Sequence, residues 1–114
     1  MVIIESGLEA CCIVAIRFPF SDLSRAKLRP ALILANVGKG DYLMCQITSK
    51  SYADSRAIII EADDFAIGQL PLTSFARPGK LFTAHESLFQ KPLGKINRAK
   101  HEAVVTSVCD LLRC

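Results

Sequence analysis

The feature that most constrains this chain is a pair of apolar segments joined by a glycine-rich turn. Residues 30–37 form a near-continuous apolar run, which is typical of a strand buried on both faces. The tetrapeptide Gly38-Lys39-Gly40-Asp41 then predicts a tight hairpin turn, and residues 42–48 predict the returning strand. In that strand Leu43, Cys45 and Ile47 face one side, while Met44, Gln46 and Thr48 face the other. The alternation predicts that Gln46 and Thr48 point away from the core.

Short strand signals recur along most of the remaining chain. Residues 11–18 are apolar and β-branched, with Val14, Ile16 and Phe18 on one face. Pro78-Gly79 interrupts another apolar segment and predicts an edge strand with a bulge or turn. Residues 19–28 and 49–55 are polar and predict loops, whereas residues 63–70 are ambiguous. The predicted strands span residues 11–18, 30–37, 42–48, 57–60, 75–83 and 92–96.

A helix is predicted for residues 97–114, with Asn97 as its N-cap. Its apolar stripe follows the i, i+3, i+4, i+7 spacing of an amphipathic helix, and the stripe comprises His101, Val104, Val105, Val108, Leu111 and Leu112. His101 is interpreted as a packing residue within that stripe. Several short strands followed by one helix predict a mainly β fold, either a small antiparallel barrel or a strongly twisted sheet with the helix packed against it.

Composition is that of an ordinary globular domain. The 114 residues predict a single domain, 1–114, and the net charge of +3 permits a polyanionic partner but is equally explained by a solvated surface. No apolar run approaches the roughly 20 residues that span a bilayer. Glu5 and Glu9 occupy the region where a signal peptide would be positive, so we expect a cytoplasmic protein.

The cysteine pattern predicts free thiols. The five cysteines are odd in number and include no CxxC spacing, although Cys11 and Cys12 are adjacent and should point to opposite faces of a strand. His85 and His101 do not complete a metal-ligand spacing with them. We therefore expect reduced cysteines in the cytosol and no metal site.

Hairpin geometry brings two polar side chains together. Arg29 precedes the first strand of the hairpin and Thr48 ends the second, and the start of one hairpin strand lies opposite the end of the other. A guanidinium beside a hydroxyl can grip a phosphate. Arg77 and Lys80 would extend the same positive surface. The alternative is a surface Arg29 bonded to a carboxylate or carbonyl, with Thr48 capping a strand end.

Three segments, in order, resemble the PemK/MazF-like family of toxin–antitoxin ribonucleases. They are "FPFSDLSRAKLRPALIL", "CQITSK" and "ARPGKLFTAHESLFQKPLGKI", and the resemblance runs from about Ile13 into the final helix. It implies an SH3-like β-barrel with appended helices, usually a homodimer, that cleaves single-stranded RNA such as mRNA without a metal or other cofactor. It also implies a partner antitoxin that covers the active surface with a disordered segment.

The resemblance also implies site residues. The Arg of the RP step and the Thr of the ITS segment match Arg29 and Thr48, which it implies are catalytic. The family's loop after the first strand matches residues 21–28. Together with the ITSK segment and the positive residues near Pro78, it implies RNA-binding residues at Asp22, Ser24, Lys27, Ser49, Lys50, Arg77 and Lys80.

Metal-free RNA cleavage uses the ribose 2′-OH as the nucleophile, and Arg29 is too basic to accept its proton. His85 and Asp22 are the titratable candidates that the sequence offers for that role. The chain departs from the family pattern at Cys11-Cys12 and at Pro78-Gly79, where relatives carry acidic residues. Two alternatives therefore stay open: a catalytically weak or inactive barrel that binds nucleic acid or a protein partner, and a toxin-fold protein acting on another target such as a topoisomerase.

Overall fold

The computed structural model describes residues 9–18, 27–50 and 55–113, with the backbone alone for Phe18 and Lys27. The predicted loop residues 19–26, which include Asp22 and Ser24, lie outside the described residues. Seven strands, two short 3-10 helices at Ala62–Asp64 and Glu86–Leu88, and one α-helix make up the described chain. The strands and the helix are β1 Cys12–Phe18, β2 Lys27–Gly38, β3 Asp41–Thr48, β4 Ile58–Ile60, β5 Phe65–Gly68, β6 Ser74–His85, β7 Phe89–Ile96 and α1 Arg98–Leu112.

The strands form one curled antiparallel sheet in the order β4-β6-β3-β2-β1-β7-β5. The predicted hairpin is its centre, because β2 and β3 are neighbours joined by the turn at Lys39-Gly40. Lys39 and Gly40 both have positive φ, 56° and 82°, as a tight two-residue hairpin turn requires. The predicted fold, mainly β with a C-terminal helix and of the small curled-barrel type, is confirmed.

The sheet is buried on both faces in its central part. One hydrophobic cluster contains Leu32, Cys45 and Ile47 together with residues of α1, and a second contains Ile33 and Met44 on the opposite face. The predicted alternation in β3 is therefore right. The expectation that its Met44 face points away from a core is wrong, since Met44 is fully buried in the second cluster.

β2 begins earlier than predicted. Lys27 and Leu28 were expected in a loop, yet they pair with Phe18 and Arg17 of β1. The polar composition of this segment favours a loop locally, but the ladder with β1 supplies backbone partners that outweigh that preference. Arg29 consequently lies within a strand that is fixed by its neighbour.

β6 is not the edge strand that its proline predicted. β3 pairs with it on one side and β4 pairs with its first residues on the other, so β4 and β5 form the two edges of the sheet. The predicted irregularity is confirmed, because Cys45 pairs with Leu81 whereas Ile47 pairs with Ala76. The extra residues of β6 form a bulge that contains Pro78 and accommodates its missing N–H.

The C-terminal helix and its cap are confirmed. The Asn97 side chain accepts a hydrogen bond from Lys100 N at 2.8 Å, which satisfies one of the unpaired amides of the first turn. His101, Val104 and Val108 are the buried residues of α1. Leu112 was predicted in the apolar stripe but is 70% exposed, because the helix contacts β6 and β4 through its earlier turns. Among the helices of the described chain, none has the length and apolar character needed to cross a membrane.

Candidate active site

The β2–β3 ladder ends near Pro30, and this fixes the geometry of the candidate site. The last paired residues toward that end are Ala31 and Gln46, and Pro30 has no N–H with which to extend the ladder. Two residues further along each strand, the same register places Arg29 opposite Thr48. Both keep the parity of the Ala31–Gln46 pair, so they fall on one face of the sheet. The predicted proximity of Arg29 and Thr48 is therefore supported by the register.

A groove of about 560 Å³ contains both residues. This volume is within the range of pockets that hold small ligands. Its lining comes from the ends of β2 and β3, from the residues that join β5 to β6 and from Leu93 of β7. Its lining residues are Arg29, Pro30, Ile47, Thr48, Ser49, Lys50, Gln69, Leu70, Pro71, Leu72, Ser74 and Leu93.

The Thr48 hydroxyl is oriented by the backbone that follows it. Lys50 N donates a hydrogen bond to Thr48 Oγ1 at 3.1 Å, which closes a short turn at the end of β3. The alternative predicted for this residue, a strand-end cap, is thus part of its role. Because the oxygen accepts this bond, its own hydrogen remains available to donate to a ligand. Thr48 is half-buried, so the hydroxyl borders the groove.

The groove is electropositive. Arg29 and Lys50 are both exposed and both line it, whereas no Asp or Glu occurs among the lining residues of the described chain. Within that part of the chain no carboxylate pairs with Arg29 either, so the predicted alternative of a surface ion pair finds no support there. A permanent cation, a second cation and an oriented hydroxyl in one groove form an arrangement that suits a phosphate group.

The part of the groove lining that joins β5 to β6 is held in place at both ends. We call residues 69–73 the wall loop. At its start Gly68 has a φ of +72° and pairs with Gly94, and a Cβ at Gly94 would lie 2.7 Å from the Ile67 carbonyl oxygen. At its end the buried Ser74 donates a hydrogen bond from Oγ to Leu72 O at 2.9 Å. The ambiguous signal of residues 63–70 gave no indication of this wall, and the sequence analysis missed it.

The remaining predicted site residues divide into three groups. Ser49 and Lys50 line the groove, as expected from their place beside Thr48. Arg77 and Lys80 lie outside its lining, in the bulge of β6, so their part in RNA binding stays a prediction. Asp22 and Ser24 lie outside the described residues. Lys27 is the first residue of β2 and pairs with Phe18 of β1.

Neither histidine lies in the groove. His85 is paired with Asp41, at the end of β3 remote from Thr48, which corresponds to about 23 Å along the strand. Its Nδ1 accepts a hydrogen bond from Ser87 N at 3.1 Å, so the ring caps a 3-10 turn. His101 is buried on α1, as the packing interpretation predicted. The structure therefore separates both imidazoles from Arg29.

Cys11, Cys45 and Cys109 are free thiols, as predicted, and none of them lines the groove. Cys11 and Cys45 are buried in the same cluster. Burial raises the pKa of the Cys45 thiol to about 12, against a weaker lowering by a backbone hydrogen bond from Arg77. In the part of the chain that the structure covers, no three His, Cys, Asp or Glu side chains are grouped as a metal site would need.

Comparisons with known proteins identify the fold. No family model matches the chain, and no curated protein matches it in sequence. Among solved structures, it is similar to a mycobacterial endoribonuclease in complex with its cognate antitoxin, with a TM-score of 0.74 and 14% identity over 94% of this chain and 96% of that one. It is also similar to MazF from Deinococcus radiodurans, with a TM-score of 0.72 and 18% identity over 94% and 97%.

A third similar structure is the Mycobacterium tuberculosis toxin MazF-mt6, with a TM-score of 0.70 and 14% identity over 90% of this chain and 96% of that one. Each match spans nearly the whole of both chains, so the similarity concerns the complete arrangement of strands and helix rather than a shared fragment. At these levels of identity the likeness is one of structure. The chain therefore has the fold of the MazF-type toxins.

Proposed function

We propose that this chain is a metal-independent endoribonuclease, the toxin of a type II toxin–antitoxin pair, and that it cleaves single-stranded RNA in the groove beside Arg29. The observation that carries the proposal is the meeting of Arg29 and Thr48 in one electropositive groove. The fold supports it, since similar structures include an endoribonuclease and MazF toxins. Because fold alone does not determine chemistry, the residues that line the groove are the stronger support.

In the proposed reaction the ribose 2′-OH attacks the adjacent phosphorus and the 5′ oxygen leaves. The products are a 2′,3′-cyclic phosphate and a 5′-OH, so no water is consumed in this step. Negative charge accumulates on the non-bridging oxygens of the phosphorane, and the Arg29 guanidinium stabilises it there. Thr48 donates its hydroxyl hydrogen to one of these oxygens while Lys50 N holds the hydroxyl in place.

Proton transfer is assigned to neither residue of this pair. Arg29 stays protonated throughout the accessible pH range and is therefore a poor base. The groove residues that the structure describes include no histidine and no carboxylate. Asp22 remains the candidate base that the sequence offers, in the loop that precedes Arg29. Arg29 and Thr48 thus act by stabilising charge and by holding the phosphate.

RNA binding beyond the scissile phosphate is proposed for the flanking residues. Ser49 and Lys50 continue the groove from Thr48, and a lysine there favours a second backbone phosphate. Arg77 and Lys80 carry positive charge on the β6 bulge, where they would contact the RNA strand as it leaves the groove. Asp22 and Ser24, which come between β1 and β2 in the sequence, and Lys27 complete the proposed set.

The proposed partners are an antitoxin and a second copy of the chain. One similar structure contains its cognate antitoxin. A groove with two cations and no lining carboxylate in the described chain suits an acidic, extended antitoxin segment, which would compete with RNA for the same site. We place this activity in the cytoplasm, where mRNA is the available substrate.

The test is to incubate the purified protein with single-stranded RNA in EDTA and to identify the new termini. We expect fragments that end in a 2′,3′-cyclic phosphate and begin with a 5′-OH. A matched RNA with one 2′-deoxyribose at the mapped cut site should still bind but should resist cleavage there. Cleavage that requires an added divalent cation, or cleavage of the deoxy-substituted bond, would contradict the mechanism.

A second outcome would replace the proposal by its alternative. RNA that remains intact while binding weakens steeply with salt would identify a non-catalytic module that contacts phosphates. Expression in a bacterial host separates the two further. The ribonuclease should arrest growth, and co-expression of an antitoxin should relieve the arrest, whereas a binding module should permit growth.

A further inference from the structure

We infer that Gln69 is a specificity-determining residue, which reads the base edge of a nucleotide bound beside the scissile phosphate. This inference rests on the proposed ribonuclease function and concerns how the same groove selects its RNA. Gln69 lines the same groove as Arg29 and Thr48 and is exposed. An RNA strand whose phosphate contacts Arg29 in this groove brings its base near the other lining residues, and Gln69 is one of them.

The chemistry of the groove singles out this amide. Arg29 and Lys50 only donate hydrogen bonds and carry charge, so they suit phosphate rather than a particular base. Thr48 has one hydroxyl hydrogen to donate, and in the proposed reaction it goes to a phosphate oxygen. The Gln69 amide offers one acceptor and two donors on one planar group, which is the pattern that base edges of single-stranded RNA require.

The backbone on both sides of Gln69 is held by contacts, as the selection of one base by hydrogen bonds requires. The Gly68–Gly94 contact fixes the residue before it, and Leu70 after it packs against the main hydrophobic cluster. Selectivity by hydrogen bonds needs such a frame, because a mobile amide would adapt to any base. The backbone of Gln69 thus lies between two anchored neighbours, in a loop whose far end is also tied by Ser74.

The wall loop also supplies an apolar surface beside the amide. Pro71 and Leu72 are exposed, with Leu72 at 64%, and both line the groove. Pro71 and Leu72, together with Gln69 and Leu70, also border a second cavity of about 270 Å³, so the wall loop contributes to both cavities. An exposed apolar surface next to an amide suits a base, whose face is apolar and whose edge is polar.

The experiment maps cleavage sites in a pool of RNAs with randomised sequence for wild type, Gln69→Ala, Gln69→Glu and the control Gln90→Ala. Gln90 is an exposed glutamine on β7 and lines a different cavity. We expect Gln69→Ala to reduce base preference at one position of the site by about fivefold or more, the weak end of a paired hydrogen-bond contact. Gln69→Glu should shift that position toward bases that donate, since its carboxylate only accepts.

The outcomes separate this inference from the proposed function. If wild type cleaves with a preference and both Gln69 variants keep that preference at every position, the inference is wrong while the ribonuclease stands. Equal effects of Gln69→Ala and Gln69→Glu would indicate a structural role and would also overturn it. If wild type does not cleave RNA at all, the proposed function and this inference both fail. Gln90→Ala should match wild type at every position.

Discussion

Arg29 and Thr48 line one groove because the hairpin that joins their strands turns tightly at Lys39-Gly40 and stops pairing at Pro30. The turn sets the register, and the pairing between β2 and β3 ends beside the proline, while Arg29 still pairs with Ile16 of β1 and Thr48 with Phe75 of β6. Both side chains line the groove, where a ligand can contact them.

Replacing Thr48 tests the role of its hydroxyl. Thr48→Val keeps the shape of the side chain but removes both the bond from Lys50 N and the hydrogen offered to phosphate. We expect the single-turnover rate of RNA cleavage to fall by about 10²-fold, typical of one lost oxyanion donor. Thr48→Ser retains the hydroxyl and should recover most of the rate. Equal rates for the serine and valine variants would exclude a contribution from the hydroxyl.

Gly94 and Gly79 form a matched pair for the frame of the wall loop. A Cβ at Gly94 would approach the Ile67 carbonyl oxygen to 2.7 Å, whereas a Cβ at Gly79 meets nothing within 4 Å. Gly94→Ala should lower the free energy of unfolding by about 1–3 kcal/mol through overpacking. Gly79→Ala should stay within about 0.5 kcal/mol of wild type. Urea denaturation measures both, and equal stabilities would contradict the close β5–β7 approach.

The helix cap makes a separate contribution to stability. Asn97→Ala removes the acceptor for Lys100 N and should cost about 1 kcal/mol of unfolding free energy. Asn97→Asp and Asn97→Ser keep an acceptor oxygen and should remain close to wild type in the same denaturant titration. A loss shared equally by all three variants would mean that Asn97 acts through a contact other than the cap.

The buried Cys45 thiol gives the protein a specific pH dependence. Its pKa is raised from 9.0 to about 12 by burial, so above pH 9 the unfolded chain loses this proton while the folded chain keeps it. Folding stability therefore decreases as pH rises through this window. Between pH 8 and pH 10 the stability gap between wild type and Cys45→Ala should shrink by about 1.4 kcal/mol.

The control for that measurement is Cys109→Ala, which removes an exposed thiol from α1. The change with pH should be larger for Cys45→Ala than for this control, because the Cys45 thiol is buried and the Cys109 thiol is exposed. Urea midpoints of the three proteins at pH 8 and pH 10 provide the comparison. A Cys45→Ala gap that does not change with pH would show that the folded state ionises this thiol as readily as the unfolded chain.

Much of the fold could be predicted because its signals are local. A few neighbouring residues are enough to predict the Gly38–Asp41 turn, the apolar run of β2 that is buried on both faces, and the helix cap at Asn97. The position of β6 between two strands could not be predicted in this way, since a proline favours an edge and the pairing with β4 is a long-range event. Likewise, the β1 ladder draws Lys27 and Leu28 into β2 against their local preference.

The candidate site likewise combines residues that local signals predict with residues that only long-range pairing brings together. Arg29 and Thr48 are joined by a short hairpin, so spacing alone predicts that they meet. Gln69 reaches the groove only through the β5–β7 pairing and a backbone contact between two glycines, and neither leaves a local pattern. The second buried face, which contains Met44, was not predicted, because one face of β3 was expected to be exposed to solvent.

The most direct test of the central claim is the single-turnover rate of RNA cleavage in EDTA for wild type, Arg29→Ala and Arg113→Ala. Arg113 follows α1 and is exposed, so its variant loses the same charge away from the groove. We predict that Arg29→Ala lowers the rate by at least about 10²-fold, with unchanged folding stability, while Arg113→Ala matches wild type. An Arg29→Ala protein that is folded and cleaves RNA at the wild-type rate would contradict the account.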